Sequence, residues 1–144
     1  MSQQQLQPPT TPYGAPISLE AAKKAMAAAE AEALKNQWGM AIAIVDSGGN
    51  LVMLHRLDNT QLASPRLAEH KARTAVEFRR PTRVFEDAVS GGGLGLRVLS
   101  FGAMCAEGGV PIMLGGKIVG AIGVSGAASH QDAQVAQAGA GAIG

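Results

Sequence analysis

The sequence predicts an α+β domain, an antiparallel sheet of about five strands with helices packed on it. Two glycine-rich turns, Asp46-Ser-Gly-Gly-Asn50 and Gly115-Gly116-Lys117, each separate a pair of short apolar runs and read as hairpins. Between and around them lie stretches with helical periodicity and recognisable start and stop signals. The tight turns leave no room for the helical crossovers of a parallel sheet, which excludes a dinucleotide-binding fold built on one.

Residues 1–16 are rich in Gln and Pro, carry too little apolar surface to order themselves, and are expected to form a disordered tail. Residues 17–144 then form a single domain, a normal size for one hydrophobic core. Ser18 is placed to cap a helix over Leu19–Lys35, with Glu20 in the first turn and alanines throughout. Met40–Val45 and Leu51–His55 form the first hairpin, and their near-continuous apolar character predicts a sheet covered on both faces.

Ser64 at the N-cap and Pro65 at the first helical position open a second helix to Phe78, which Pro81 stops. A short helix over Thr82–Val89 follows. Ser90–Arg97 is glycine-rich, but neither the dinucleotide spacing nor a Gly-Lys-Ser/Thr ending is present, so it reads as a loop. Val98–Cys105 is the expected next strand, and Pro111–Leu114 with Ile118–Val124 make the second hairpin. Ser129 is placed to cap a last helix over His130–Ala138, with Asp132 at the capping-box position.

Twelve basic and eleven acidic residues leave a net charge of +1, and no basic run with interleaved aromatics occurs, so nucleic acid is not an expected partner. No stretch reaches the roughly 20 apolar residues of a membrane span. The first residues show neither a basic start nor an apolar leader, which predicts a cytoplasmic protein, although a form that had lost a leader would read the same. Cys105 is the only cysteine, which excludes an internal disulfide and thiolate-based zinc or iron–sulfur sites.

Among His55, His70 and His130 no metal-pair spacing occurs. His70, Thr74 and Phe78 follow at helical spacing, aligning an imidazole, a hydroxyl and a ring on one face. That face suits a planar ligand; the alternative is a partly exposed helix with His70 in solvent. Lys71 is either a solvated helix lysine or, if buried, a base or nucleophile of lowered pKa. Glu107 before Gly108-Gly109 offers a general base beside backbone amides able to receive an anion, or a surface loop carboxylate. Asp132 reads as the cap of its own helix, and Asp46 and Asn50 as turn formers. Arg56 and Asp58 project to one side of their strand end and are placed to pair with each other or with a neighbouring subunit. Ser125 lacks the spacing of a nucleophile elbow, so no hydrolase triad is expected. Glycines at 120 and 123 within a strand mark close approach of a ligand or another backbone.

The run Glu107-Gly-Gly-Val-Pro-Ile-Met-Leu-Gly-Gly-Lys-Ile-Val-Gly-Ala-Ile-Gly-Val-Ser-Gly126, with Lys71-Ala-Arg-Thr-Ala75 and Gln131-Asp132, resembles the GlcG/HbpS family of small haem-binding or haem-degrading domains. The resemblance covers about Ile17–Gly139. It implies a layered sheet-and-helix fold, a pocket near Lys71 and Thr74, and Thr74 as an iron contact beside His70. It also implies assembly into a dimer or larger homo-oligomer, with the pocket near the subunit boundary.

The expected function is therefore a small-ligand-binding domain, with haem or a related tetrapyrrole held between the Pro65–Phe78 helix and the glycine-rich hairpin. His70, Thr74, Phe78, Gly108 and Gly109 are the candidate contacts, and His70 and Thr74 the candidate metal ligands. The alternative is a cofactor-independent hydrolase or deaminase acting on a small anionic substrate. Glu107 or Lys71 would then be the base, and the Gly108-Gly109 amides would form the anion site. A third reading is a purely structural domain that serves to assemble copies of itself.

Overall fold

The computed structural model describes residues 7–144. Helix α1 (Leu19–Lys35) is followed by strands β1 (Ala41–Asp46) and β2 (Leu51–Arg56). Helices α2 (Ser64–Phe78) and α3 (Arg83–Gly91) and a run of 3-10 turns over Gly93–Ser100 come next. Strands β3 (Gly109–Leu114) and β4 (Lys117–Ser125) and helix α4 (Ser129–Gly141) complete the chain.

Among the described residues the sheet has four strands in the order β2-β1-β4-β3, all antiparallel. Both predicted hairpins form. Asp46 Oδ1 accepts from the Gly48 and Asn50 N–H groups at 2.9 and 3.0 Å, which closes the first turn. Gly115 and Gly116 both have positive φ, 61° and 76°, as a two-residue hairpin loop demands.

The strand expected over Val98–Cys105 does not form, which leaves four strands rather than five. Only Val98 of its first residues is buried, against Phe85 and Ala88, while Leu99 and Phe101 face outward. A strand would have to bury alternate residues, and this stretch has a single apolar anchor.

The core has three layers. Ile42 and Ile44 of β1 point toward α1 and α4, together with Met26, Ala29, Ile122, Val124 and Val135. Ala41, Ala43 and Val45 point the other way, against Ala68, Ala72 and Ala75 of α2. The near-continuous apolar run of β1 thus reflects a strand covered on both faces. β2, at the sheet edge, is half open, with Leu51 and Leu54 exposed.

Gly109 and Gly123 pair across β3 and β4, and α2 lies directly over them. A Cβ at Gly123 would fall 2.1 Å from Ala68 O, and one at Gly109 would fall 2.4 Å from Lys71 O. The close approach marked by the strand glycines is that of this chain's own helix. A Cβ at Gly120 would likewise meet Val45 O of the neighbouring strand. There is accordingly no space for a tetrapyrrole between α2 and the second hairpin.

Pro12–Ile17 is ordered, contrary to the expectation of a tail reaching residue 16. Ile118 N–H donates to Pro12 O and Gly14 N–H to Ile118 O, at 2.9 and 2.8 Å, which extends the sheet beyond the end of β1. Tyr13 OH donates to Val76 O at 2.7 Å, and the Arg79 guanidinium lies over the Tyr13 ring. Residues 1–6 of the expected tail lie outside the described residues.

Candidate functional site

The predicted helix face exists: His70, Thr74 and Phe78 lie along one side of α2, each a turn apart. The chain from Phe101 to Met104 runs across that side and touches all three. His70 Nε2 lies 2.8 Å from Gly102 O. Thr74 Oγ1 accepts from the Met104 N–H at 2.9 Å. The Phe78 ring stacks on Phe101 with centroids 6.2 Å apart, and meets Phe85 edge-on at 5.0 Å.

These contacts divide the three residues. Thr74 is only 1% exposed and its hydroxyl fastens a loop, so it is enclosed rather than presented to a ligand. His70 is half-buried and reaches the surface beside Phe101, which is 49% exposed. Sequence reasoning missed Phe101, Gly102 and the Met104 amide. An aromatic–glycine step just after the predicted loop was the available signal.

Lys71 points the other way from His70. It is 3% exposed, and its Nζ donates to Asp132 Oδ2 and to Val124 O, both at 2.9 Å. Asp132 Oδ1 accepts from Ala127 N–H at 3.0 Å. Burial pushes the Asp132 carboxyl above its usual range, against the opposing pull of Lys71 and the Ala127 amide. An ammonium enclosed and bonded in this way is not open to substrate, which removes Lys71 as the base of the enzyme reading. The capping-box place on α4 belongs to Gln131, whose side chain accepts from Ala128 N–H at 3.1 Å, rather than to Asp132. Ser64 is not a cap either: it is buried, with Ser125 Oγ at 3.4 Å.

Glu107 is half-buried, and its own N–H donates to Glu86 Oε1 at 3.1 Å. The expected anion site beside it is not open. Gly109 is buried and its amide donates to Thr82 Oγ1 at 2.9 Å, while Gly108 O accepts from Val124 N–H. A Cβ at Gly108 would fall 2.8 Å from Lys71 Nζ, so the glycine seals the ion pair instead of cradling a ligand.

Cys105 is half-buried, and burial raises its thiol pKa. Among the described residues no group of three His, Cys, Asp or Glu side chains is placed to hold a metal ion. No helix among them is long and apolar enough to cross a membrane. A groove of about 350 Å³ lies elsewhere, between the end of α1 and the β2–α2 connection, lined by Trp38, Arg56, Leu57, Asp58 and neighbours. Arg56 and Asp58 both border it and are not paired with each other.

Comparison with known proteins points to one family. The chain is 40% identical over 109 residues to the protein GlcG of Escherichia coli, an overlap covering 76% of this chain and 81% of that one. Among solved structures, a double mutant of Streptomyces reticuli HbpS superposes with a TM-score of 0.82 at 33% identity, covering 91% of this chain and 89% of the other. A PduOC–haem complex superposes with a TM-score of 0.79 at 30% identity, covering 89% and 95%. The family described as haem degrading protein HbpS-like matches residues 17–141, nearly the whole ordered domain, and this chain belongs to it.

Proposed function

We propose that this protein binds haem on the outer side of α2, with His70 as the iron ligand and Phe78 as an apolar contact. The observation that carries the reading is the setting of His70. It is a half-buried imidazole, held at one nitrogen by a main-chain carbonyl, beside a stacked aromatic pair. Imidazole is a preferred iron donor. In the turns before Phe101, Leu94, Leu96 and Leu99 are also exposed, Leu94 at 75%. Apolar patches of this kind mark ligand or partner sites. The donor and the walls present thus fit a tetrapyrrole.

Membership of the HbpS-like family and the likeness to a haem-bound PduOC structure support the same ligand. Bound haem would supply an iron centre; the chain's part is to ligate, orient and shield it. Thr74 contributes by fastening the Met104 end of the loop. Haemin titration of the protein, followed at the Soret band, tests the reading. A shift saturating near one haem per chain is expected, and His70→Ala should weaken binding at least tenfold. An unshifted spectrum overturns it.

Assembly into at least a dimer forms part of this proposal. The exposed leucines of β2 and of the 93–99 turns support it, since apolar surface of this kind is normally covered. Light scattering at micromolar concentration tests it; a stable mass near 14.7 kDa would refute it. The lone Cys105 accords with a cytoplasmic location, which cell fractionation checks.

A further inference from the structure

We infer that Leu99–Ala103 is a latch over His70, which must release Gly102 before the imidazole can hold iron; this rests on the haem reading above. The argument begins with the chemistry of the contact. A carbonyl oxygen only accepts, so at 2.8 Å from Gly102 O the His70 Nε2 carries the ring proton, and the neutral ring's lone pair is on Nδ1. Nδ1 adjoins the ring carbon that bears Cβ and is the more crowded of the two nitrogens for a porphyrin plane. Nε2, at the tip of the ring, is the nitrogen able to reach iron, and in this structure it is spent on the chain's own backbone.

The stretch that covers it is built to let go. Val98 is buried against Phe85 and Ala88 on one side, and Met104 is tied to Thr74 on the other. Between these anchors lie the Gly102–His70 bond and the Phe101–Phe78 stack, and Ala103 packs on the small cluster of Phe85, Ala88 and Val98. Gly102 holds a left-handed φ of 73°, and a Cβ built there meets no atom within 4 Å, so its surroundings are open. Segments with few apolar contacts and exposed backbone sit at the low end of local stability. Opening frees Nε2 and uncovers the Phe78 ring in the same motion, while Thr74 keeps the far anchor in place.

Binding is then limited by opening: the observed haemin association rate should rise and level off at the opening rate. Stopped-flow mixing with dilute haemin, read at the Soret band, measures that plateau. Phe101→Ala removes the stack and should raise the plateau about two- to tenfold, the range of an aromatic pair's stabilisation. Gly102→Ala disfavours the left-handed closed form without a clash and should raise it about fivefold. A long-range proton–nitrogen NMR spectrum of the ligand-free protein gives a second reading, with His70 protonated at Nε2. A rate that climbs linearly with haemin and is equal in parent and variants overturns the latch while leaving haem binding intact. So does a ligand-free His70 protonated at Nδ1. An absent Soret shift in the parent protein overturns the haem reading and the latch together.

Discussion

Lys71 Nζ lies 2.9 Å from Asp132 Oδ2 in the closed interior, joining α2 to the first turn of α4 across 61 positions of sequence. Val124 O at 2.9 Å takes a second ammonium proton, and the Ala127 N–H holds the other carboxylate oxygen. Buried pairs of this kind are not strong stabilisers against an apolar replacement, but breaking one leaves a buried group without its partner. Lys71→Met alone should cost about 3–5 kcal/mol in urea unfolding, and Lys71→Met with Asp132→Leu should recover much of the loss. Equal destabilisation by the single and the double variant would show that the pair does not act as a unit.

The same pair sets a pH dependence opposite to that of a surface carboxylate. Asp132 titrates above its ordinary 3.8 in the folded state, because burial disfavours its charge more than Lys71 and the amide bonds favour it. With its folded pKa raised, the folded protein binds the extra proton. The stability this confers is complete below 3.8 and is lost as pH rises through the raised value. The difference in unfolding free energy between the parent and Asp132→Asn, measured across this acid range, should therefore fall as pH increases. Lys71→Met should move the decline to higher pH, since it removes a group that lowers the Asp132 pKa. A difference that rises with pH would reverse the assignment.

Glycine substitutions should separate packing from turn chemistry. Gly123→Ala would drive a methyl to 2.1 Å from Ala68 O, which forces α2 off the sheet. Gly116→Ala meets no atom and bears only the cost of its φ of 76°, about 1 kcal/mol. The expected order in thermal melts is a severe loss, or no folded protein, for Gly123→Ala and a shift of a few degrees for Gly116→Ala. Similar melting temperatures would mean that α2 is not seated on the strand glycines.

This contrast also shows what local sequence can and cannot reveal. The Ser18 cap and the two turns were legible because their signals lie within five residues: Ser18 before Leu19–Lys35, Asp46 with Asn50, Gly115 with Gly116, whereas Ser129, read as a cap, is the first residue inside α4 and Ala128 holds the cap position. Gly123 announced a close approach but not its partner, since the sheet and α2 meet only in the folded chain. The same holds for Asp132, read as a helix cap while its long-range partner Lys71 was out of local view. Val98–Cys105 misled because a short apolar run without alternation fits a strand and a string of turns equally well. At the candidate site, His70, Thr74 and Phe78 were visible by helical spacing. The loop that divides their roles was not, because its contacts cross from about 23 to 32 positions away.

Thr74 is the residue on which that division depends. Its hydroxyl is enclosed, and the bond it accepts is the link holding Met104, and with it the far end of the loop, to α2. Thr74→Val keeps the volume but leaves the Met104 N–H without that acceptor, at a cost of about 1–3 kcal/mol. The Met104 amide should then exchange with solvent at least tenfold faster, while the amides of β1, covered on both faces, slow or quicken only with global stability. Thr74→Ser restores the acceptor and should restore the protection, which a loss of methyl packing alone would not allow. If Thr74→Val leaves Met104 exchange unchanged, the hydroxyl does not hold the loop, and a direct role for Thr74 at the ligand regains its place.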